Sequence, residues 1–200
     1  VNEPFNAWAQ GAWYYGPPLA GGVALLLVGV AILLFFRDLP REITAGPNEV
    51  VSAADGTVVA IEDMEETEHY DGPARRLSVF MSIFSAHVNR APYDGVLRVV
   101  RYAPGKYVNA MKAESSKVNE SNAVWMDTER GLITFRQISG AVARRIVCPA
   151  TPGMRLAKGE KYGMIRFGSR VELYLPPDTE MCVSLGDKVY AGTTVVARFP

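Results

Sequence analysis

KGEKYGMIRFGSRVELYLP, residues 158–176, is the stretch on which the reading of this chain turns. A strand-like run reaches Ile165, a Gly-Ser pair stands at 168–169, and VELYL follows at 171–175. Apolar and polar residues in so short a run suit a half-buried β-strand, and a Gly-Ser pair between two such runs suits a hairpin turn. The style recurs along the chain. Residues 57–62, 77–82, 96–102, 123–127, 132–138 and 193–199 are short β-branched and aromatic runs bounded by Gly, Pro or Asn-Asp-rich turns. Strands this short predict a folded or barrel-like sheet in place of a doubly wound one. The fold class expected is mainly β, a β-rich α+β protein, while residues 141–147 read equally as helix or strand.

A weak internal echo refines that expectation. Gly159-Glu160 leads to Gly163, and Gly186-Asp187-Lys188-Val189 leads to Ala191-Gly192. Both have a Gly beside an acid, then a second Gly, then a strand. Such turns resemble those of biotinyl/lipoyl-type barrel sandwiches, and Ala54-Asp55-Gly56-Thr57-Val58 resembles the opening strand of that architecture. Two unrelated hairpin turns produce the same pattern.

The N-terminal part is of another kind. The chain carries 21 Lys+Arg against 21 Asp+Glu, yet Pro4 through Phe36 contain none of these residues. Residues 19–36, LAGGVALLLVGVAILLFF, follow Pro17-Pro18. As a helix they span about 27 Å, close to the roughly 30 Å of a hydrocarbon core. Trp8, Trp13, Tyr14 and Tyr15 lie upstream, where an aromatic belt falls, and Arg37 and Arg41 follow directly. No Lys or Arg precedes the run, so it lacks the basic head of a signal peptide, and the positive-inside bias puts the following domain on the cytoplasmic face. Residues 1–41 are therefore expected to be a membrane anchor, with its helix at about 19–36, and residues 42–200 a single domain.

Composition removes several classes. A chain of net charge +0 lacks the basic footprint of a nucleic-acid binder. Cys148 and Cys182 without a CxxC argue against a zinc ribbon or a disulfide scaffold and read as small core residues. Two histidines make a multi-His metal site improbable. Nucleotide-binding, zincin and hydrolase-elbow motifs are absent. His69, in EETEHYDG, is expected to be solvated. His87, in FSAHVNRAP, suits either a packed or a proton-transferring role. The Gly168-Ser169 pair suits more than a turn. A glycine permits a strained backbone and an unhindered carbonyl, and the Ser169 hydroxyl is placed in sequence to attack it.

HVNRAPYDG at 87–95, VNESN at 118–122, SGAVARR at 139–145 and KGEKYGMIRFGSRVELYLP at 158–176 together resemble the phosphatidylserine decarboxylase family, in its short bacterial/archaeal form. FFRD at 35–38 and Ala54-Asp55-Gly56 resemble it too. The likeness runs from about residue 33 to 199. It implies a proenzyme that cuts itself between Gly168 and Ser169 into a β chain, 1–168, and an α chain, 169–200. Ser169 would become a covalent pyruvoyl group that forms a Schiff base with the serine amine of the lipid and accepts the electrons released with CO₂. No metal is implied. His87 matches the family histidine near the reacting carboxylate, and Asp55 a family aspartate tied to self-processing; its other reading is the acid of an Asp-Gly turn. The chain departs from the long bacterial branch at Arg90, where that branch has a second histidine, and at Ser85, where an acid is frequent. Arg90, Asn119, Asn122 and Lys106 are candidate substrate contacts, and Lys106, Lys112 and Lys117 suit a lipid phosphate. The expected partners are a membrane phospholipid and the bilayer, in an αβ pair that assembles further. Two alternatives stand beside this: a non-catalytic membrane-anchored adaptor or carrier module, and a decarboxylase of an ether-linked archaetidylserine.

Overall fold

The computed structural model describes residues 3–141, 145–165 and 168–200, with side chains described from Pro18 onward. It separates into two compact units, Val1–Arg37 and Asp38–Pro200. The first is one helix, α1 (Glu3–Phe35), which begins upstream of the predicted 19–36 and passes through Pro17-Pro18. Its Pro18–Phe35 part has a mean hydropathy of 2.5, long and apolar enough to cross a membrane. An internal proline removes one helical hydrogen bond, and the flanking turns carry the helix across that gap. From Leu19 to Leu34 the large apolar side chains are exposed, a surface that an apolar surrounding would satisfy, while Phe35 is buried.

The second unit is mainly β. In chain order it has β1 (Glu49–Val51), β2 (Gly56–Met64), β3 (Ala74–Met81), β4 (Val88–Arg90) and β5 (Gly95–Ala103). The short helix α2 (Ser115–Val118) precedes β6 (Ser121–Thr128), β7 (Gly131–Ile138), β8 (Ile146–Val147), β9 (Arg155–Leu156) and β10 (Lys161–Ile165). β11 (Ser169–Leu175), β12 (Glu180–Met181), β13 (Lys188–Val189) and β14 (Val195–Arg198) complete it. Every pairing between these strands is antiparallel. The main sheet runs β13-β2-β3-β11-β7-β6-β5-β9, and two three-stranded sheets run β1-β14-β12 and β4-β10-β8. Of the ambiguous residues 141–147, Ile146–Val147 form β8; 142–144 lie outside the described residues.

β11 is central because both of its faces are buried. Directly paired residues of antiparallel strands share a face. Val171 pairs with Val79, and Leu173 with Leu77 and Phe135, so these side chains form part of the apolar core, while Gln137, the other partner of Val171, is a buried amide on the same face. The opposite face is polar. There Glu172 pairs with Ser78 and Arg136, and its fully buried carboxylate accepts hydrogen bonds from Ser78 Oγ (3.3 Å), Ser116 Oγ (3.1 Å) and Tyr174 OH (2.7 Å). Arg76, Arg136 and Arg170 surround it at 3.7, 3.6 and 3.6 Å. One carboxylate thus holds three guanidiniums beneath α2, an arrangement tolerable in a low-dielectric site only because it is paired on every side.

Two expectations are corrected here. His69 is not solvated: its ring packs 5.5 Å from Tyr174 and 6.4 Å from Trp125, and burial, reinforced by the Arg136 charge, lowers its pKa to about 4. Its charged sequence neighbours concealed this, because the loop folds back over the sheet. Cys182 is exposed and not a core residue, since it follows the two-residue strand β12; Cys148 is half-buried, and both are free thiols.

Candidate functional site

The junction sits where β10 leads into β11; Arg166 and Phe167 between them lie outside the described residues. Gly168 has φ +63°, in the left-handed region, and a side chain at this position would meet nothing within 4 Å. Open space lies on the side-chain side of Gly168, whereas its carbonyl is closely flanked. A Cβ placed on Gly140 would overlap the Gly168 carbonyl oxygen, lie 3.0 Å from its carbonyl carbon and 3.3 Å from Ala110 Cβ. Gly140 is therefore glycine because the Gly168 carbonyl occupies its side-chain space.

Ser169 opens β11 fully buried, paired with Met81 of β3. Its hydroxyl donates to Met81 Sδ at 3.4 Å, a weak acceptor that leaves the oxygen largely unengaged. Asn89 Nδ2 donates to the same sulfur at 3.6 Å. Asn89 Oδ1 accepts from Gln137 Nε2 at 2.9 Å, and Gln137 Oε1 accepts from Asn122 Nδ2 at 3.5 Å. A row of buried amides from β4, β7 and β6 thus reaches the serine through one methionine. Buried amides have to pair with one another, and pairing across three strands fixes their geometry.

His87 is fully buried, and its carbonyl accepts from Ile165 N–H at 3.3 Å at the end of β10. The antiparallel pairing of β4 with β10 continues this contact, so the 87–90 segment lies along the strand that enters the junction. Asp55 lies elsewhere. Its carboxylate binds Arg41 at 2.7 Å and accepts from Ala191 N–H at 2.8 Å. Arg90 donates to Gly159 O (2.9 Å) and Leu39 O (3.1 Å) and pairs with Asp38 (3.3 Å). Asp55, Arg90 and the two neighbours of His87, Ala86 and Val88, line one cavity of about 10 Å³. Asn119 is fully engaged in the fold, binding Val108 N–H (2.8 Å), Val108 O (2.7 Å) and Ser139 O (2.8 Å). It secures the end of β7 beside Gly140. Lys106 is exposed, held by backbone pairing to Val118 and Asn119.

The structure thus gathers Gly168, Ser169 and Asn122 into one connected site, sets the His87 backbone against β10, and places Asp55 and Arg90 together at a neighbouring cavity. Sequence reasoning missed Gly140, Met81, Asn89 and Gln137. Asn89 and Gly140 stand inside quoted motifs, so the signal was present for two of them; Gln137 and Met81 looked like ordinary strand residues. Among the described residues no three His, Cys, Asp or Glu cluster to hold a metal ion. A cavity of about 480 Å³ lined by Pro47, Tyr93, Asp127 and Arg155 shares no residue with the junction.

A mainly β domain that follows an apolar helix in the chain, with a buried serine after a left-handed glycine at the head of its central strand, defines a class of chains built around a Gly-Ser junction. The family profile described as phosphatidylserine decarboxylase matches residues 29–197. A phosphatidylserine decarboxylase proenzyme of Nitrosomonas eutropha is 45% identical, over 88% of this chain and 81% of that protein. The proenzyme of Magnetococcus marinus is 46% identical over 82% of this chain and 76% of its own length. That of Burkholderia pseudomallei is 44% identical over 100% of this chain and 99% of its own. The chain belongs to the phosphatidylserine decarboxylase family.

Proposed function

We propose that the chain is a proenzyme that cuts its backbone between Gly168 and Ser169 and then converts phosphatidylserine to phosphatidylethanolamine, as a pyruvoyl-dependent carboxy-lyase. The observation that carries the site assignment is the junction: a buried, weakly bonded serine follows a glycine whose carbonyl is pinned by a neighbour without a side chain. Ser169 Oγ attacks the Gly168 carbonyl carbon, the amide becomes an ester, and the hydroxyl proton passes to the freed amine. Loss of the residue 169 α-hydrogen then expels the Gly168 carboxylate. The dehydroalanine left behind takes up water, releases ammonia and ends as pyruvoyl on the α chain, 169–200, beside the β chain, 1–168.

The residues around Ser169 fit such a group, because the site is buried, its amides are mutually paired, and glycine stands at 140 beside the carbonyl. The pyruvoyl group supplies an electrophilic carbonyl that captures the substrate amine and takes up the electrons released with CO₂. The chain's own residues exclude water and move protons. We assign His87 to proton transfer near the reacting carboxylate, since an imidazole exchanges protons near neutral pH. Asp55 is assigned a positioning role in processing, acting through Arg41 and the Ala191 amide. Asn122 positions the site through Gln137 and Asn89, and Asn119 through Ser139. Arg90 is read as a latch on the 38–39 segment, and Lys106 as an exposed partner for the lipid phosphate.

Residues 1–41 serve in this reading as the anchor and 42–200 as the catalytic domain, held on the cytoplasmic face by Arg37 and Arg41. The domain is read as a barrel sandwich. In support, Gly159, Gly186 and Gly192 of the echoed turns all have positive φ, and a Cβ on Gly192 would sit 3.5 Å from Gly159 Cα. The αβ pair is read as the unit of a larger homo-oligomer. The test is intact mass with a denaturing gel. Purified wild type is expected as two chains with a blocked α N-terminus, and Ser169→Ala as one inactive chain. A wild type that stays uncut and does not release CO₂ from phosphatidylserine overturns the proposal.

A further inference from the structure

Two exposed apolar tips flank the Gly168-Ser169 junction. β3 ends at Met81, the register partner of Ser169, and the chain then turns back through residues 82–85. Serines hold that turn: Ser85 N–H donates to Ser82 O at 3.0 Å, and Ser82 Oγ lies 3.3 Å from Ser85 Oγ and accepts from Phe84 N–H at 3.3 Å. Ile83 and Phe84 stand at its tip, 51% and 80% exposed. The second tip lies on the 104–114 segment. Ala110 meets the Gly140 space that the Gly168 carbonyl fills, and Met111, the next residue, is 59% exposed. The Met111 carbonyl accepts from Arg170 Nη2 at 3.5 Å, which ties this tip to the residue after Ser169. Lys106 and Lys112 are exposed on the same segment.

Exposed Ile, Phe and Met in two ordered loops at one end of a sheet mark an interaction surface. The occupant follows from the substrate. Two acyl chains retain phosphatidylserine in the bilayer, whereas Ser169 is fully buried in protein. The mouth of the site has to come to the lipid surface, and apolar tips beside it meet the acyl boundary while lysines meet anionic headgroups. Resting on the lipid-decarboxylase reading, we propose that Ile83, Phe84 and Met111 insert into the bilayer interface and seat the Ser169 site on the membrane, with Lys106 and Lys112 against its anionic surface.

The test uses the full chain in vesicles of phosphatidylcholine containing phosphatidylserine. A Phe84→Trp variant, corrected for the wild-type signal, is expected to be quenched by lipids brominated near the top of the acyl chains. Ile83→Ser with Phe84→Ser is expected to process into two chains as wild type does. Its turnover of vesicle phosphatidylserine should fall about tenfold or more, the loss expected from two apolar side chains. Turnover of a short-chain, water-dispersed phosphatidylserine should stay at the wild-type level. No quenching, concentration-dependent shielding that reveals a second copy on the patch, or equal loss on both substrates overturns the inference. If the double variant misfolds, the quenching arm still decides. A wild type inactive on both substrates counts against the decarboxylase reading alone, since quenching is independent of turnover.

Discussion

Replacing Gly140 with alanine adds one methyl group, and its consequence follows from where that carbon would stand. It overlaps the Gly168 carbonyl oxygen and lies 3.0 Å from the carbonyl carbon. Carbon and carbonyl oxygen approach one another ordinarily to about 3.3 Å, so the scissile carbonyl has to retreat by about 1 Å or more. A misplacement of about 1 Å costs roughly 100-fold in a positioned reaction, so self-cleavage of Gly140→Ala should slow by about that factor. Gly168→Ala is the informative contrast. It meets nothing within 4 Å but places a side chain at φ +63°, which costs about 1–2 kcal/mol without moving the carbonyl into a neighbour. Its processing defect should be the milder of the two. The assay is the time course of two-chain product on a denaturing gel, with circular dichroism and thermal melting as controls. Hydroxylamine, which cleaves ester intermediates, should not restore the cutting rate of Gly140→Ala, because ester formation is the slowed step. A folded Gly140→Ala protein that processes at the wild-type rate refutes the cradle argument.

Gln137→Leu should lower the melting temperature and slow processing, because it removes the donor to the buried Asn89 Oδ1, worth about 1–3 kcal/mol when unpaired, and the Gln137 acceptor of Asn122 Nδ2; unchanged melting counts against the amide row. Glu172→Gln should cost about 3–5 kcal/mol in a denaturant titration, as the buried Arg136 and Arg170 and the half-buried Arg76 lose the carboxylate they share. His69 has a folded pKa of about 4 against an ordinary value of 6.5, so between these values the unfolded chain binds more protons. Stability should therefore decline as pH falls from 6.5 to 4, and His69→Gln should show a shallower decline in melting temperature across that window.

Much of the strand pattern was legible because alternation is a local property. VELYL reads as a strand from five residues, and β11 forms there with both faces covered. The polar face was less legible. Arg136 and Arg170 look like solvent-facing residues in sequence, yet both are buried because Glu172, the register partner of Arg136 and two residues along β11 from Arg170, pairs with each. His69 misled for the same reason: its sequence neighbours are acids, but its spatial neighbours are Trp125 and Tyr174.

The apolar N-terminal run, the short strands and the Gly-Ser pair are properties of contiguous residues, so the sequence by itself determined them. The family likeness also rested on ordered local motifs. Only the tertiary structure decided what holds the junction. Gly140 and Gly168 are strangers in sequence, and a missing side chain at one is meaningful only because the carbonyl of the other fills its place. Asn89, Gln137 and Asn122 come from three strands, and their pairing depends on sheet register. Hydropathy adds along a chain and can be read one residue at a time. Steric exclusion and buried hydrogen bonding belong to pairs of groups, and those pairs exist only once strands distant in sequence have been brought together.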